Sequence, residues 1–434
     1  MKRYPLYFII LMMIPLHGFQ QEILTLGKAL EAGMENNFSI RLQKNNVEVA
    51  KNNNTLGNAG FLPSVNLNIT QNNSINTTHQ EQFSGTVKDI DNAKSNSLNA
   101  GIQINWTVFD GMSMFANHRM LQVLEELGEN GTRIVMEDFV ADVSTLYFGI
   151  VQMKRLVKVT RKALDLSEER KKIAEAKLSI GSGSQVMLLQ STVDRNADST
   201  RLLQQLTTLA NLKADLNQLL GRDITIPFET VDTITFSGIP FVDSIFILAE
   251  RQNSRLTAAR MNSQLARYNV REVQSDRYPR INLTGGYTFS TLSSETGFLQ
   301  QNRSYGPSYG INLSYNLFNG FNVNRAIKNS KVLMNSAELV VGETVLNLRA
   351  SLVKLLNQYR SNTGIATLQA ENVVVAQENL NIAFEKYRLG TLNDIEFRDI
   401  QRKLIEADYE YISAQFEIRK TEIEIYRYCG LLLK

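Results

Sequence analysis

The side chains that could carry catalysis or hold a metal are scarce in this 434-residue chain: three histidines, His17, His79 and His118, and one cysteine, Cys429. A zinc site needs several such ligands at fixed spacing, and a nucleophile needs a base beside it. No histidine here stands at such a spacing from a partner, and there is no CxxC, phosphate-cradling glycine loop or nucleophile elbow. Metal, cofactor and catalytic residues are therefore not expected, and with one cysteine no intrachain disulfide can form. Cys429 reads as a small buried hydrophobe. Charge is plentiful but balanced, 46 basic against 43 acidic residues for a net +3. Such balance argues against a nucleic-acid partner, which leaves a strongly basic footprint. What remains is ion-pair chemistry on helix faces: Asp394–Arg398 and Asp399–Lys403 stand at i,i+4.

The elements that carry these groups are legible from period and composition. Lys2 and Arg3 precede an apolar run from Leu6 to Leu16, the order of a secretory signal peptide over 1–19. The mature chain is expected to start near Gln20, with a net charge of about +1. The leader holds no cysteine for a lipid anchor, and no later segment is apolar for the ~18 residues of a membrane helix. Four runs alternate apolar with Asn, Ser, Thr or Gly: about 62–71, 98–109, 279–290 and 307–318. Each is about ten residues, the length of a tilted membrane strand. Their polar faces nearly lack charge, which suits a water-filled lumen better than the outside of a soluble sheet. Stretches rich in Leu, Ala, Glu, Lys, Gln and Arg read as very long helices over about 113–179 and 321–388. Shorter ones follow at about 184–221 and 393–430. The glycines Gly181, Gly183 and Gly390 mark the reversals.

The chain is a duplication. Trp106–Gly111 (WTVFDG) matches Tyr315–Gly320 (YNLFNG), Ala176–Gly181 matches Glu385–Gly390, and Gly221 matches Gly430, always 209 positions apart. Leu62–Leu67 matches Tyr278–Leu283 at an offset of 216. This predicts a first repeat over 20–221, a linker over 222–240 and a second repeat over 241–434. Four membrane strands cannot close a barrel, and lipid does not tolerate open sheet edges. The long helices would likewise leave apolar stripes uncovered. Both facts predict a cyclic homo-oligomer.

The order of helix, Pro-led strand, strand ending in Phe-Asp/Asn-Gly, long helix, glycine turn and helix, present twice, resembles the TolC-like outer-membrane efflux proteins. The resemblance spans about 23–430, and Tyr387–Gln401 looks like that family's second helix-turn signature. It implies a mixed α and β membrane protein, a homotrimer sharing a 12-stranded outer-membrane barrel that is continuous with a 12-helix periplasmic tunnel. The implied function is passive conduction in a tripartite efflux or type I secretion system. The partners would be a periplasmic adaptor, an inner-membrane transporter and outer-membrane lipid, with no cofactor. A periplasmic coiled-coil adaptor or scaffold protein is the alternative, although an adaptor would show one helical hairpin, not two. Carried over residue by residue, Glu396 and Asp399 would ring the periplasmic constriction, and Tyr387 would tie neighbouring helices there. Gly181, Gly183, Gly390 and Thr391 would form the helix-turn tips that meet the adaptor. Trp106, Tyr287, Tyr309 and Tyr315 fall in phase with the apolar strand faces, as an aromatic belt would. Two family positions depart: Met187 and Leu392 stand where the closing link has an acid and a base. Closure is then expected to rest on packing, with Tyr387 the one remaining polar link.

Overall fold

The computed structural model describes residues 22–240, 242–296 and 299–433, so the expected leader lies outside the described residues. The elements run β1 (Glu22–Ile23), α1 (Leu26–Asn36), α2 (Phe38–Asn53), α3 (Leu56–Ala59), β2 (Ser64–Glu81), β3 (Val87–Phe109), α4 (Ser113–Ser179) and α5 (Gln185–Leu219). Then follow β4 (Phe228–Glu229), α6 (Val242–Gln252), α7 (Ser254–Ser275), β5 (Arg280–Ser294), β6 (Gln301–Ser314), α8 (Asn322–Arg388) and α9 (Asp394–Tyr428). The same order of strands and long helices occurs twice, although α3 has no counterpart before β5. Both long helices have 67 residues and both following helices 35, with starts and ends 209 positions apart. α4 runs unbroken through Gly128, Gly131 and Gly149. Both helical turns close alike: the amide of Ser182 bonds Lys177 O and that of Gly181 bonds Leu178 O, and Thr391 and Gly390 repeat this on Lys386 and Tyr387. These are the paired bonds of a Schellman motif, with Gly181 and Gly390 in the left-handed region that glycine reaches without cost.

The chain packs as two units, each drawing on both repeats. The first joins the described residues up to Phe38 with Phe139–Ile239 and Leu355–Tyr426. In it β1 pairs in parallel with β4, which lies in the linker between repeats. Lys154 holds that linker through Thr230 O (2.8 Å), Glu229 (2.9 Å) and Asp232 (2.8 Å). The buried Glu422 accepts from the amides of Ser237 and Gly238.

The second unit joins Ser39–Asp138, Pro240–Lys354 and Arg427–Lys434 and holds the four-stranded antiparallel sheet, in the order β2-β3-β5-β6. At the foot of the sheet, Gly111 adopts φ +73, and a Cβ there would lie 2.3 Å from Ser275 O. The strands reach 14 to 23 residues, beyond the ten or so expected. The reason lies in the segment Gln71–Lys94, where both faces are mostly polar. Apolar alternation stops there while the hydrogen-bonded ladder of β2 and β3 continues to Glu81 and Val87. β6 instead begins earlier, at Gln301, and stops at Ser314, leaving Tyr315–Phe318 outside it.

Candidate functional site

Two features stand out, one in each unit. The first is the face of the sheet. Register places Leu67, Ile102 and Tyr287 opposite one another, likewise Val65 and Ile104, Trp106 with Leu283 and Ile311, and Ile281 with Leu313. Residues directly opposite share a face. Four alternating patterns therefore merge into one apolar surface, and Asn66, Gln103, Asn282 and Asn312 fall on the other. The apolar face is open: Leu67 is 66 % exposed and Ile311 76 %. Trp106, Tyr287 and Tyr309 lie on it, and Tyr315 lies one residue past β6. They do not share one level, since Tyr287 pairs with Ile102 and Trp106 lies four residues along, about 13 Å. The Trp106 indole donates to Phe61 O at 2.9 Å.

The second feature lies beside the helical turns of the first unit. Arg170 of α4 is fully buried, a cost that only close partners can offset. Its Nε and Nη2 each donate to Asp394 of α9 at 2.7 Å, and Nη2 also to Asp194 of α5 at 2.7 Å. Burial opposes the charge, but Asp394 and Asp194 outweigh it and hold the guanidinium pKa well above its ordinary value. Arg398, next along α9, forks onto Asp198 at 2.8 and 3.1 Å. Asp198 also accepts from Ser167, and the Gln401 amide donates to Ser167 and Ala163 O. Two guanidiniums and three carboxylates thus tie the first-repeat pair α4 and α5 to α9 of the second.

Tyr387 joins this network: its hydroxyl donates to Asp394 at 3.0 Å, and its ring stacks on Phe397 at 4.8 Å. Burial, then the negative field of Asp394, pushes the phenol pKa well above its usual range. Lys177 lies over the other ring face, 4.7 Å from its centre. Met187 and Leu392 both rest on the cluster of Leu380, Ala383, Tyr387, Phe397 and Leu404. The expectation that Tyr387 is the one polar link is corrected. Charged bonds among Arg170, Asp194, Asp198, Asp394 and Arg398 join it.

The i,i+4 pair Asp394–Arg398 is also corrected, because both side chains turn toward other helices. Asp399 does bond Lys403 at 2.9 Å and Arg402 at 3.1 Å, and the Lys403 bond, against slight desolvation, lowers its pKa. Glu396 is exposed: its backbone amide donates to the capping Asn393 Oδ1 at 2.8 Å, and the Asn393 side-chain amide donates to its carboxylate at 3.4 Å. Glu396 and Asp399 thus sit on the face of α9 opposite Phe397, Gln401 and Leu404, apart from Tyr387. Gly181, Gly183, Gly390 and Thr391 cap the exposed turns. Arg170 was missed, yet it had a signal: it falls at a core position among Ala163, Leu166, Ser167, Ile173 and Ala174, where a lone charge demands partners. Among the described residues no group of three or more His, Cys, Asp or Glu could hold a metal, and no helix is long and apolar enough to cross a membrane.

The outer membrane efflux protein family model matches residues 30–222 and again 247–431, once per repeat. The chain is 25% identical over 228 residues to outer membrane protein TolC of Vibrio cholerae, covering 49% of this chain and 51% of that one, about half its length. It is 18% identical to outer membrane efflux protein BepC of Brucella suis, over 91% of this chain and 82% of that one. Among solved structures, the Campylobacter jejuni CmeC outer membrane channel superposes with a TM-score of 0.80 at 14% identity, covering 93% of this chain and 85% of that one. With the family match falling once on each repeat, the chain belongs to the outer membrane efflux protein family.

Proposed function

We propose that this chain is one of three identical subunits of an outer-membrane channel that passively conducts substrates received from an inner-membrane transporter through a periplasmic adaptor. The observation that carries the proposal is the sheet. Its apolar face suits lipid, while among the described residues β2 and β6 each keep one edge without a partner strand. Lipid leaves no water to satisfy such edges, so another copy must. Three copies would give twelve strands, in the range of closed outer-membrane barrels. The helices would pool likewise into a twelve-helix tunnel, whose exposed stripes on α5 and α8, such as Leu203 and Leu368, copies would cover.

At the turn end, Glu396 and Asp399 of three copies would ring the axis with carboxylates that favour cations. The Arg170 network would hold the helix pairs in the closed arrangement, with Met187 and Leu392 packed beside it. Gly181, Gly183, Gly390 and Thr391 would be presented to the adaptor. The test uses cysteines placed on the β2 and β6 edges, Asn68→Cys with Asn312→Cys, and a short thiol cross-linker in native membranes. Cys429 is buried, with its thiol pushed up to about 11, so it should stay silent. A ladder that stops at three chains supports the reading, and cross-links confined to single chains refute it.

A further inference from the structure

At the foot of the sheet, where β3 passes into α4 and α7 into β5, a crevice of about 850 Å³ opens between α4 and α7. It is lined by Phe109, Phe115 and Tyr278 and by three guanidinium groups, Arg119, Arg271 and Arg277. Among the described residues none of these arginines meets a carboxylate. Arg119 donates to the Gln122 side-chain oxygen at 2.9 Å, Arg277 to that of Asn324 at 3.0 Å, and Arg271 lies over the Tyr268 ring. The nearby acids do not pair with these arginines, although one Asp110 oxygen is buried without a partner among the described residues. Asp110 caps α4 by accepting from the Met114 amide at 2.9 Å, and Asp276 pairs with Arg280 at 3.1 Å. His118 adds an unpaired group: its Nε2 accepts from the Gln122 amide, so the enclosed Nδ1 is a donor without a partner among the described residues.

The side on which the crevice opens follows from the register. A bulge between Thr107 and Phe109 sets Phe109 opposite Ile281, which is in phase with Leu283, so Phe109 sits on the apolar face. The crevice therefore continues the apolar face where the strands end. Aromatic rings beside guanidiniums at such a boundary match a lipid: apolar chains along the strands, a headgroup at the rings, a phosphate among the arginines.

We propose that this crevice binds the headgroup of an anionic phospholipid from the leaflet at the helical end of the strands. The inference rests on the membrane reading of the sheet. Detergent-purified full-length protein, titrated with dioleoylphosphatidylglycerol or dioleoylphosphatidylcholine and followed by native mass spectrometry, provides the test. Wild type should retain the anionic lipid preferentially. Removing one charge should weaken this by about fivefold, and Arg119→Gln with Arg271→Gln and Arg277→Gln by on the order of a hundredfold. The matching triple Lys variant should keep most of the preference, which guards against a merely misfolded Gln variant. Equal phosphatidylglycerol binding by the wild type and the Gln variant overturns the site. Competition by free glycerophosphoglycerol at equal concentration would show a phosphate site that ignores the acyl chains, and overturns the lipid assignment. Failure of the protein to insert into liposomes would instead refute the membrane reading.

Discussion

Replacing Arg170 by methionine keeps much of its volume and removes its charge, leaving Asp194 and Asp394 facing each other with side chains only 16% and 11% exposed. Removing one partner of a buried ion pair costs about 3–5 kcal/mol. Here the lower end applies, because Asp394 keeps its bond from the Tyr387 hydroxyl and both carboxylates retain some water. A loss of about 3 kcal/mol from the closed arrangement shifts a closed–open equilibrium on the order of a hundredfold. A channel open one part in a thousand would then be open about a tenth of the time. The assay is single-channel conductance in planar bilayers. Adding Asp194→Asn and Asp394→Asn to Arg170→Met should restore closure, since it removes the stranded charges. Salt should change the wild type little, because buried pairs are poorly screened. If Arg170→Met, still folded and assembled, conducts like wild type, the network does not hold the closed state and the reasoning fails.

Glu396→Ala with Asp399→Ala should weaken block by multivalent cations added at the periplasmic side, most at low salt, and unchanged block would return both residues to an ordinary exposed face. Burial raises the Glu229 pKa, but Lys213 and Lys154 outweigh this and lower it. Its contribution is therefore present above the unfolded carboxylate value near ~4.3 and lost as pH falls through the lower folded value, so hydrogen exchange across 222–240 should quicken only in strong acid. Lys154→Met should quicken it already at neutral pH. Trp106, the one tryptophan, should be dimmed by lipid-embedded quenchers, and quenching by aqueous iodide alone would contradict the membrane face. Gly181→Ala meets no atom within 4 Å and should cost only the strain of its positive φ, roughly 1–2 kcal/mol in thermal unfolding, whereas Gly111→Ala also clashes with Ser275 O and should cost clearly more.

The helical half was legible because the duplication supplied two readings of each boundary: a glycine at 181 and another at 390 fix one turn twice. The apolar strand faces were legible from period two. Strand ends were not, because residues such as Asn72, Asn73 and Ser74 carry no facial pattern although their backbones stay paired. The network around Arg170 was hidden for a different reason. Arg170 meets Asp194 from 24 positions away and Asp394 from 224, distances that no local spacing rule reaches. Asp394 and Arg398 meanwhile offered a ready i,i+4 pairing that the structure declines, since each finds a more buried partner across the bundle. Glu396 shows the converse: assigned by resemblance to a constriction, it also gives its backbone amide to the Asn393 side chain that caps α9, a bond its place three residues on already announces.

The central claim is that the sheet edges of β2 and β6 are closed by other copies of the same chain. Its most direct test is the mass of the protein extracted from outer membranes in detergent, measured by light scattering with the detergent mass subtracted. A monodisperse particle of three chains is the expected result. A monodisperse single chain, stable in that detergent, would leave the edges unpaired and contradict the shared barrel.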